Sequence, residues 1–267
     1  MPIADCPMNT LFLGSGTSHG VPMIGCTCAV CRSENPRNRR FRPSILVRHG
    51  GRAILVDTTP ELRMQALAQD VRQLDAVLFT HTHADHVMGL DDLRRFNDLS
   101  GREMPVFGDD ATLADIRRIY DYIFRETQAG GGKPRLTLHA LEPDFELFGV
   151  RVRPFTVFHG RLPVKAFRFD APADGETPAR AIAYVTDVSE IPPEGLALMR
   201  GLDVLILDAV RFDPHPTHFG LYQALEVIAE VKPRQAYLTH LSHHFDHDAV
   251  NATLPTGVEL AYDGLVT

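Results

Sequence analysis

Ten short apolar runs punctuate the chain: TLFLG, SILVRH, RAILVD, DAVLFT, PVFG, VRVRPFTVF, KAFRF, AIAYVTD, DVLILDA and QAYLTH. They are rich in Val, Ile, Leu and Phe, and read as strands. Between them lie segments with helical spacing of apolar residues, starting at Pro60, Asp85, Asp110, Phe219 and Asp246. Hairpin-like pairs such as SILVRHGGRAILVD alternate with strand-helix-strand passages, which predicts an α/β fold of two sheets with helices outside. The stretch QAGGGKP from Gln128 breaks the pattern and reads as a connection.

What stands just past the strands carries the chemistry. DAVLFT runs into His81, FTVF into His159, AIAYVT into Asp187 and QAYLT into His240. Four metal-competent side chains at four strand ends would build a site if those ends share one edge.

Composition narrows the setting. A chain of 267 residues with 44% hydrophobic side chains can bury a sizeable core, and 1–267 reads as a single domain. The formal net charge of -7 argues against a protein that covers a nucleic-acid backbone with Lys and Arg. Arg37, Arg39, Arg40 and Arg42 form a basic run that reads as a solvated loop. No apolar stretch is long enough to span a membrane and MPIADCPMNT is no secretory leader, so the expected setting is cytoplasmic. Three of the four cysteines crowd into Cys26, Cys28 and Cys31, too close for ordinary disulfides, and read as a metal site around 26–31.

The segment His81-Thr82-His83-Ala84-Asp85-His86 places three imidazoles and a carboxylate at the start of a helical pattern. Imidazole nitrogen and carboxylate oxygen are ordinary ligands for divalent metals, and an extended turn can aim them at two adjacent sites. THTHADH resembles the HxHxDH signature of the metallo-β-lactamase superfamily. That resemblance implies an αββα four-layer sandwich with a binuclear centre at the sheet edge. It puts His81, His83 and His159 on one metal, Asp85, His86 and His240 on the other, and Asp187 between them. It also implies that Asp57 orients a ligand histidine, although a plain strand-end cap explains Asp57 as well.

The cysteine loop after LGSGTSHGVP resembles the subset of the superfamily that contains the cyclic-phosphate phosphodiesterase of the carbon-phosphorus lyase pathway. In that subset the fourth ligand of a structural zinc is the later histidine of a THxSH motif, which implies His243, with His244 and His247 as rivals. The motif PTHFG places His218 where the subset carries a histidine beside the substrate phosphate, a candidate catalytic acid with His215 as its rival.

The expected reaction is hydrolysis of a small cyclic or nucleotide-like phosphodiester by a water activated between two ions, with Asp187 holding the ions and His218 assisting the leaving oxygen. Manganese, zinc and iron all suit these ligands in the centre, and zinc suits the cysteines. The segment DTTPELRMQ departs from the superfamily's Asp-x-Gly turn and is similar to the protein of pyrroloquinoline quinone biosynthesis, which makes iron-dependent oxygenation the alternative. A tRNA-processing nuclease shares the metal motif but needs a basic arm that is not evident here; a non-catalytic zinc protein ranks last. The expected partner is a small-molecule phosphodiester, with no membrane and no nucleic acid. Oligomeric state, with a homodimer left open, and the roles of His19 and His215 are not legible.

Overall fold

The computed structural model describes residues 8–126, 132–175 and 177–267, and it arranges their strands in two sheets. Cys6 and Gln128, with most of the glycine-rich connection after it, lie outside these residues.

The first sheet contains β1 (Asn9–Gly14), β2 (Ser44–His49), β3 (Arg52–Val56), β4 (Ala76–Leu78), β5 (Met104–Gly108) and β6 (Leu136–Ala140), in that spatial order. The second contains β7 (Phe145–Leu147), β8 (Val150–His159), β9 (Leu162–Ala171), β10 (Arg180–Val185), β11 (Val204–Asp208), β12 (Gln235–Thr239) and β13 (Val258–Leu260), again in chain order. In each sheet antiparallel pairing gives way to parallel pairing, at β3 in one and β10 in the other. The carboxyl ends of parallel strands are where α/β sheets ordinarily bind ligands.

Alternation along the strands explains the layers. In β11, Val204 and Ile206 enter the core between the sheets, whereas Leu205 and Leu207 face helix α7 (Leu221–Val231) on the outside. Both faces are covered, so the run VLIL is apolar throughout instead of alternating with polar residues. The core between the sheets includes Phe12, Ile45, Val56, Phe167, Phe169 and Tyr184, each worth roughly 1.5–3 kcal/mol when fully buried. On the outer face of the first sheet pack α1 (Leu62–Ala68), α2 (Ala84–Val87), α3 (Leu93–Ser100), α4 (Asp110–Ile119) and α5 (Asp121–Phe124). The second sheet is covered by α6 (Pro193–Leu198), α7 and α8 (His247–Asn251). The order is helices, sheet, sheet, helices, as expected from the HxHxDH likeness. No helix among the described residues is long and apolar enough to cross a membrane.

Two readings need correction. The segment from Asp85 is not one helix: α2 ends at Val87, a 3-10 turn covers Leu90–Asp92, and α3 follows. The break falls at Gly89, where a Cβ would lie 1.9 Å from the Thr59 carbonyl oxygen, so close backbone contact outweighs helical continuity. The basic run is not uniformly solvated either. Arg40 is 2% exposed, and its guanidinium donates to the carbonyls of Ser242 (3.2 Å) and Phe245 (2.8 Å) and to Asn38 Oδ1 (3.3 Å). Burial lowers its pKa to about 10, against the opposing charges of Asp263 and Asp246. It straps the turn after β12 to residues 38–40.

Candidate metal centre

Three side chains of the centre sit on left-handed backbone within two residues of a strand end: Asp57 (φ 65°) after β3, Asp187 (φ 55°) after β10 and His240 (φ 59°) after β12. Asp and His are among the few non-glycine residues that visit this region, and clustering of such conformations is a mark of functional sites. Each strand thereby turns abruptly and throws a polar side chain onto one rim.

There the structure brings Asp85, His86, Asp187 and His240 together, with ligand atoms all within 4.8 Å of one another. His86 Nε2 lies 3.1 Å from Asp187 Oδ2 and 3.4 Å from Asp85 Oδ2. His240 Nε2 lies 3.4 Å from Asp187 Oδ1 and 3.7 Å from Asp85 Oδ2. Asp187 also groups with His159 and His218, so this one carboxylate faces both halves of the centre. The rings of His81 and His83 pack 4.5 Å apart, and those of His83 and His159 5.2 Å apart.

The hydrogen bonds orient these rings. Asp57 accepts from Thr80 N and Thr80 Oγ1, both at 2.8 Å, and its Oδ2 lies 2.7 Å from His86 Nδ1. His159 Nδ1 donates to the Thr217 carbonyl at 2.6 Å, which leaves the Nε2 lone pair for a ligand. Asp57 is thus more than a strand-end cap.

The donor set fits divalent cations. His81 Nε2 is buried with no hydrogen-bond partner, and the buried Nε2 atoms of His86 and His240 meet the carboxylates of Asp187 and Asp85 at 3.1 to 3.7 Å without well-directed hydrogen bonds, a costly state that a cation would relieve. Burial alone would depress His240, yet the carboxylates of Asp187, Asp208 and Asp85 hold its pKa up to about 9. His86 is likewise raised against burial by Asp187, Asp85 and Asp57. Buried carboxylates therefore demand positive charge at this spot, supplied by protons or by metal.

One buried carboxylate beside this group belongs to no motif of the sequence. Asp208, the last residue of β11, is fully buried; its Oδ2 lies 2.7 Å from His218 Nδ1 and accepts from Val188 N at 3.0 Å. Its Oδ1 lies 3.8 Å from His240 Nδ1. The available signal is the same strand-end position occupied by His81, Asp187 and His240. A carboxylate can only accept, so this contact places the His218 proton on Nδ1 and leaves Nε2 open as an acceptor. Asp208→Asn is expected to lower kcat on the order of 100-fold or more with metal content unchanged, checked by steady-state assay and metal analysis. A variant as active as its parent would remove the positioning role.

The cysteine cluster is a second group of donors that could hold a metal ion. His243 Nδ1 lies 3.2, 3.5 and 3.7 Å from the sulfurs of Cys26, Cys28 and Cys31. Tetrahedral zinc bonded to sulfur at about 2.3 Å and nitrogen at about 2.0 Å separates them by roughly 3.6 Å, so the donors already span the edges of such a site. Donation from Cys31 N–H brings the Cys28 thiol down to about 6, whereas burial pushes Cys31 up to about 11. Of the rivals, His244 borders the cleft beside this site, and His247 packs against Tyr262 with Nε2 at 3.0 Å from Asn251 Nδ2. His215 belongs to none of these donor groups among the described residues; it lines the cleft next to His218, ring to ring at 5.1 Å.

Comparison with known proteins accords with this geometry. The family described as the beta-lactamase superfamily domain matches residues 52–241. The crystal structure of a new diphosphatase from the PhnP family superimposes with a TM-score of 0.88 at 39% identity, covering 98% of this chain and 97% of that one. Zinc-bound PqqB from Methylobacterium extorquens gives a TM-score of 0.78 at 20% identity, over 97% of this chain and 99% of that one, a likeness of fold alone. An octanoyltransferase of Porphyromonas gingivalis is 38% identical over 263 residues, 97% of this chain and 51% of that protein, so the chain spans about half of that relative's length.

Proposed function

The chain belongs to the beta-lactamase superfamily and, within it, to the PhnP family, and on that premise we propose that it is a two-metal hydrolase of phosphate linkages, acting as one domain on a small phosphodiester or diphosphate. The observation that carries this reading is Asp187, whose two carboxylate oxygens face the buried imidazoles of His86 and His240 while the Asp208–His218 pair stands alongside.

Cations in such a site lower the pKa of a coordinated water to about 7 and neutralise developing charge on phosphoryl oxygens. His81, His83, His159, Asp85, His86 and His240 would hold them, with Asp187 shared. Asp57 fixes the His86 ring, and Thr217 fixes the His159 ring through its carbonyl. His218, held by Asp208 at Nδ1, presents Nε2 to the leaving oxygen and gives it a proton as the bond to phosphorus breaks. Cys26, Cys28, Cys31 and His243 would hold a structural zinc.

The fold likeness to PqqB keeps iron-dependent oxygenation as the second reading. The diphosphatase, at about twice the sequence identity, favours phosphate chemistry. The name of the Porphyromonas protein belongs to a chain about twice as long and is not carried over.

The test is metal analysis of protein purified without added metal, followed by assays on bis(p-nitrophenyl) phosphate, cyclic phosphodiesters and diphosphates. Two divalent ions in the centre, one zinc at the cysteines and metal-dependent turnover are expected. Silence toward every phosphate, with turnover under iron and oxygen, would overturn the hydrolase reading.

A further inference from the structure

A cleft of about 220 Å³ opens between His218 of the centre and His243 of the cysteine site. Its other walls include His19, Arg211, His215 and His244, and no carboxylate is among its lining residues. In a chain of net charge -7, a wall with no acid beside a centre dense in carboxylates is a marked local contrast. We propose that this cleft is an anion subsite, in which Arg211 and His215, with His19 and His244 at the margin, receive a second phosphate or similar anionic group on the leaving half of the substrate.

The details fit an anion. Arg211 pairs with no carboxylate among the described residues; its guanidinium donates only to the carbonyls of Asp213 (3.2 Å) and Pro214 (2.6 Å). Five N–H donors are available on that group, so the loop carbonyls pre-orient it while leaving donors for a ligand. His215 Nδ1 accepts from Thr217 N at 3.3 Å, which puts the proton of the neutral ring on Nε2. Burial, then the neighbouring His218 and Arg211, lowers the pKa of His215. His215 therefore offers a hydrogen bond, and Arg211 supplies the charge. His19 reaches the cleft because its loop is docked on the turn after β12, through donation from Thr17 N to the Leu241 carbonyl at 3.1 Å and from Leu241 N to the Ser15 carbonyl at 2.9 Å.

Position gives the subsite its meaning. His215 lies one ring beyond His218, the proton donor to the leaving oxygen, and so on the leaving-group side of the reacting phosphorus. The assignment rests on the phosphate-hydrolase reading. A water gives up a proton to solvent as its oxygen bonds to phosphorus, the bridging oxygen–phosphorus bond breaks, and the departing phosphate keeps the bonding electron pair and takes a proton from His218. Arg211 faces that phosphate and offsets the negative charge it carries before and after the bond breaks. A larger groove of about 620 Å³ beside α1 and α3 contains none of the clustered histidines.

The test compares ADP-ribose, a diphosphate diester, with bis(p-nitrophenyl) phosphate, whose leaving group carries no second anion. Arg211→Gln and His215→Gln should lower the ratio of kcat/KM for ADP-ribose over bis(p-nitrophenyl) phosphate at least tenfold, mainly through KM for ADP-ribose, with Arg211→Lys recovering part of it. A ratio unmoved in both variants overturns the subsite. If the parent protein cleaves neither compound, ADP binding to the metal-loaded protein is read by thermal shift instead, while the hydrolase reading is decided separately by the wider set of phosphates and by turnover under iron and oxygen. Stabilisation lost in Arg211→Gln then supports the subsite, and stabilisation absent or retained there overturns it.

Discussion

Asp187→Ala yields a folded protein with phosphate hydrolysis reduced on the order of 1,000-fold or more, the larger of the two effects expected here. The carboxylate lies 3.1 Å from His86 and 3.4 Å from His240, and it also groups with His159 and His218. Its removal takes a ligand from both halves of the centre at once, so no remaining pair of imidazoles compensates. Some stability should be lost with it, because Asp187 offsets positive charge at the buried His86 and His240, but the hydrophobic core between the sheets does not include it and the fold is retained. His81→Ala, which deletes one of the unpartnered buried nitrogens, should behave similarly. Assay alongside circular dichroism checks both variants. Turnover within tenfold of the parent in either would eliminate the two-cation mechanism.

Cys28→Ala should have its main effect on stability. Loss of one thiolate opens the tetrahedral donor set, and the expected results are one fewer zinc per chain and a melting temperature lower by about 10 °C, given that structural zinc is worth several kcal/mol to folding. Some activity should go with it. His243, the nitrogen donor of that set, is three residues from His240 in a turn that Arg40 holds through the Ser242 and Phe245 carbonyls. Loosening one end of this turn shifts the other, which should show as a lower kcat with zinc lost from the cysteines alone. An unchanged zinc content would dismiss the cysteine cluster as a metal site.

Much of this organisation is visible in the order of the amino acids alone. Strand runs buried on both faces announce themselves as unbroken apolar segments, and HTHADH announces a metal site because several ligands are close in sequence. The pairing of Cys26, Cys28 and Cys31 with His243 is within reach only through resemblance, since 212 residues separate Cys31 from the imidazole that completes the set. Asp208 is silent in the sequence because one carboxylate at a strand end has no local signature; its importance comes from His218, brought 2.7 Å away by the folding of a loop. Arg40 misleads for the complementary reason. It stands among Arg37, Arg39 and Arg42 in sequence, and the carbonyls that bury it come from more than 200 residues away. β6, β7, β13 and α6 are short or partly exposed, so they give a weak periodic signal. The break at Gly89 depends on the distant Thr59 backbone, which no periodicity reports.

The left-handed bends at Asp57, Asp187 and His240 bear on how such a protein ages over generations. Each holds a non-glycine residue in a conformation that costs on the order of 1–3 kcal/mol, so mutation to glycine would relax the chain while erasing a side chain the reaction needs. Selection for sturdiness and selection for turnover pull in opposite directions at these positions. A lineage released from the second pressure would keep its scaffold and firm it, and glycine there would mark descendants that have fallen silent.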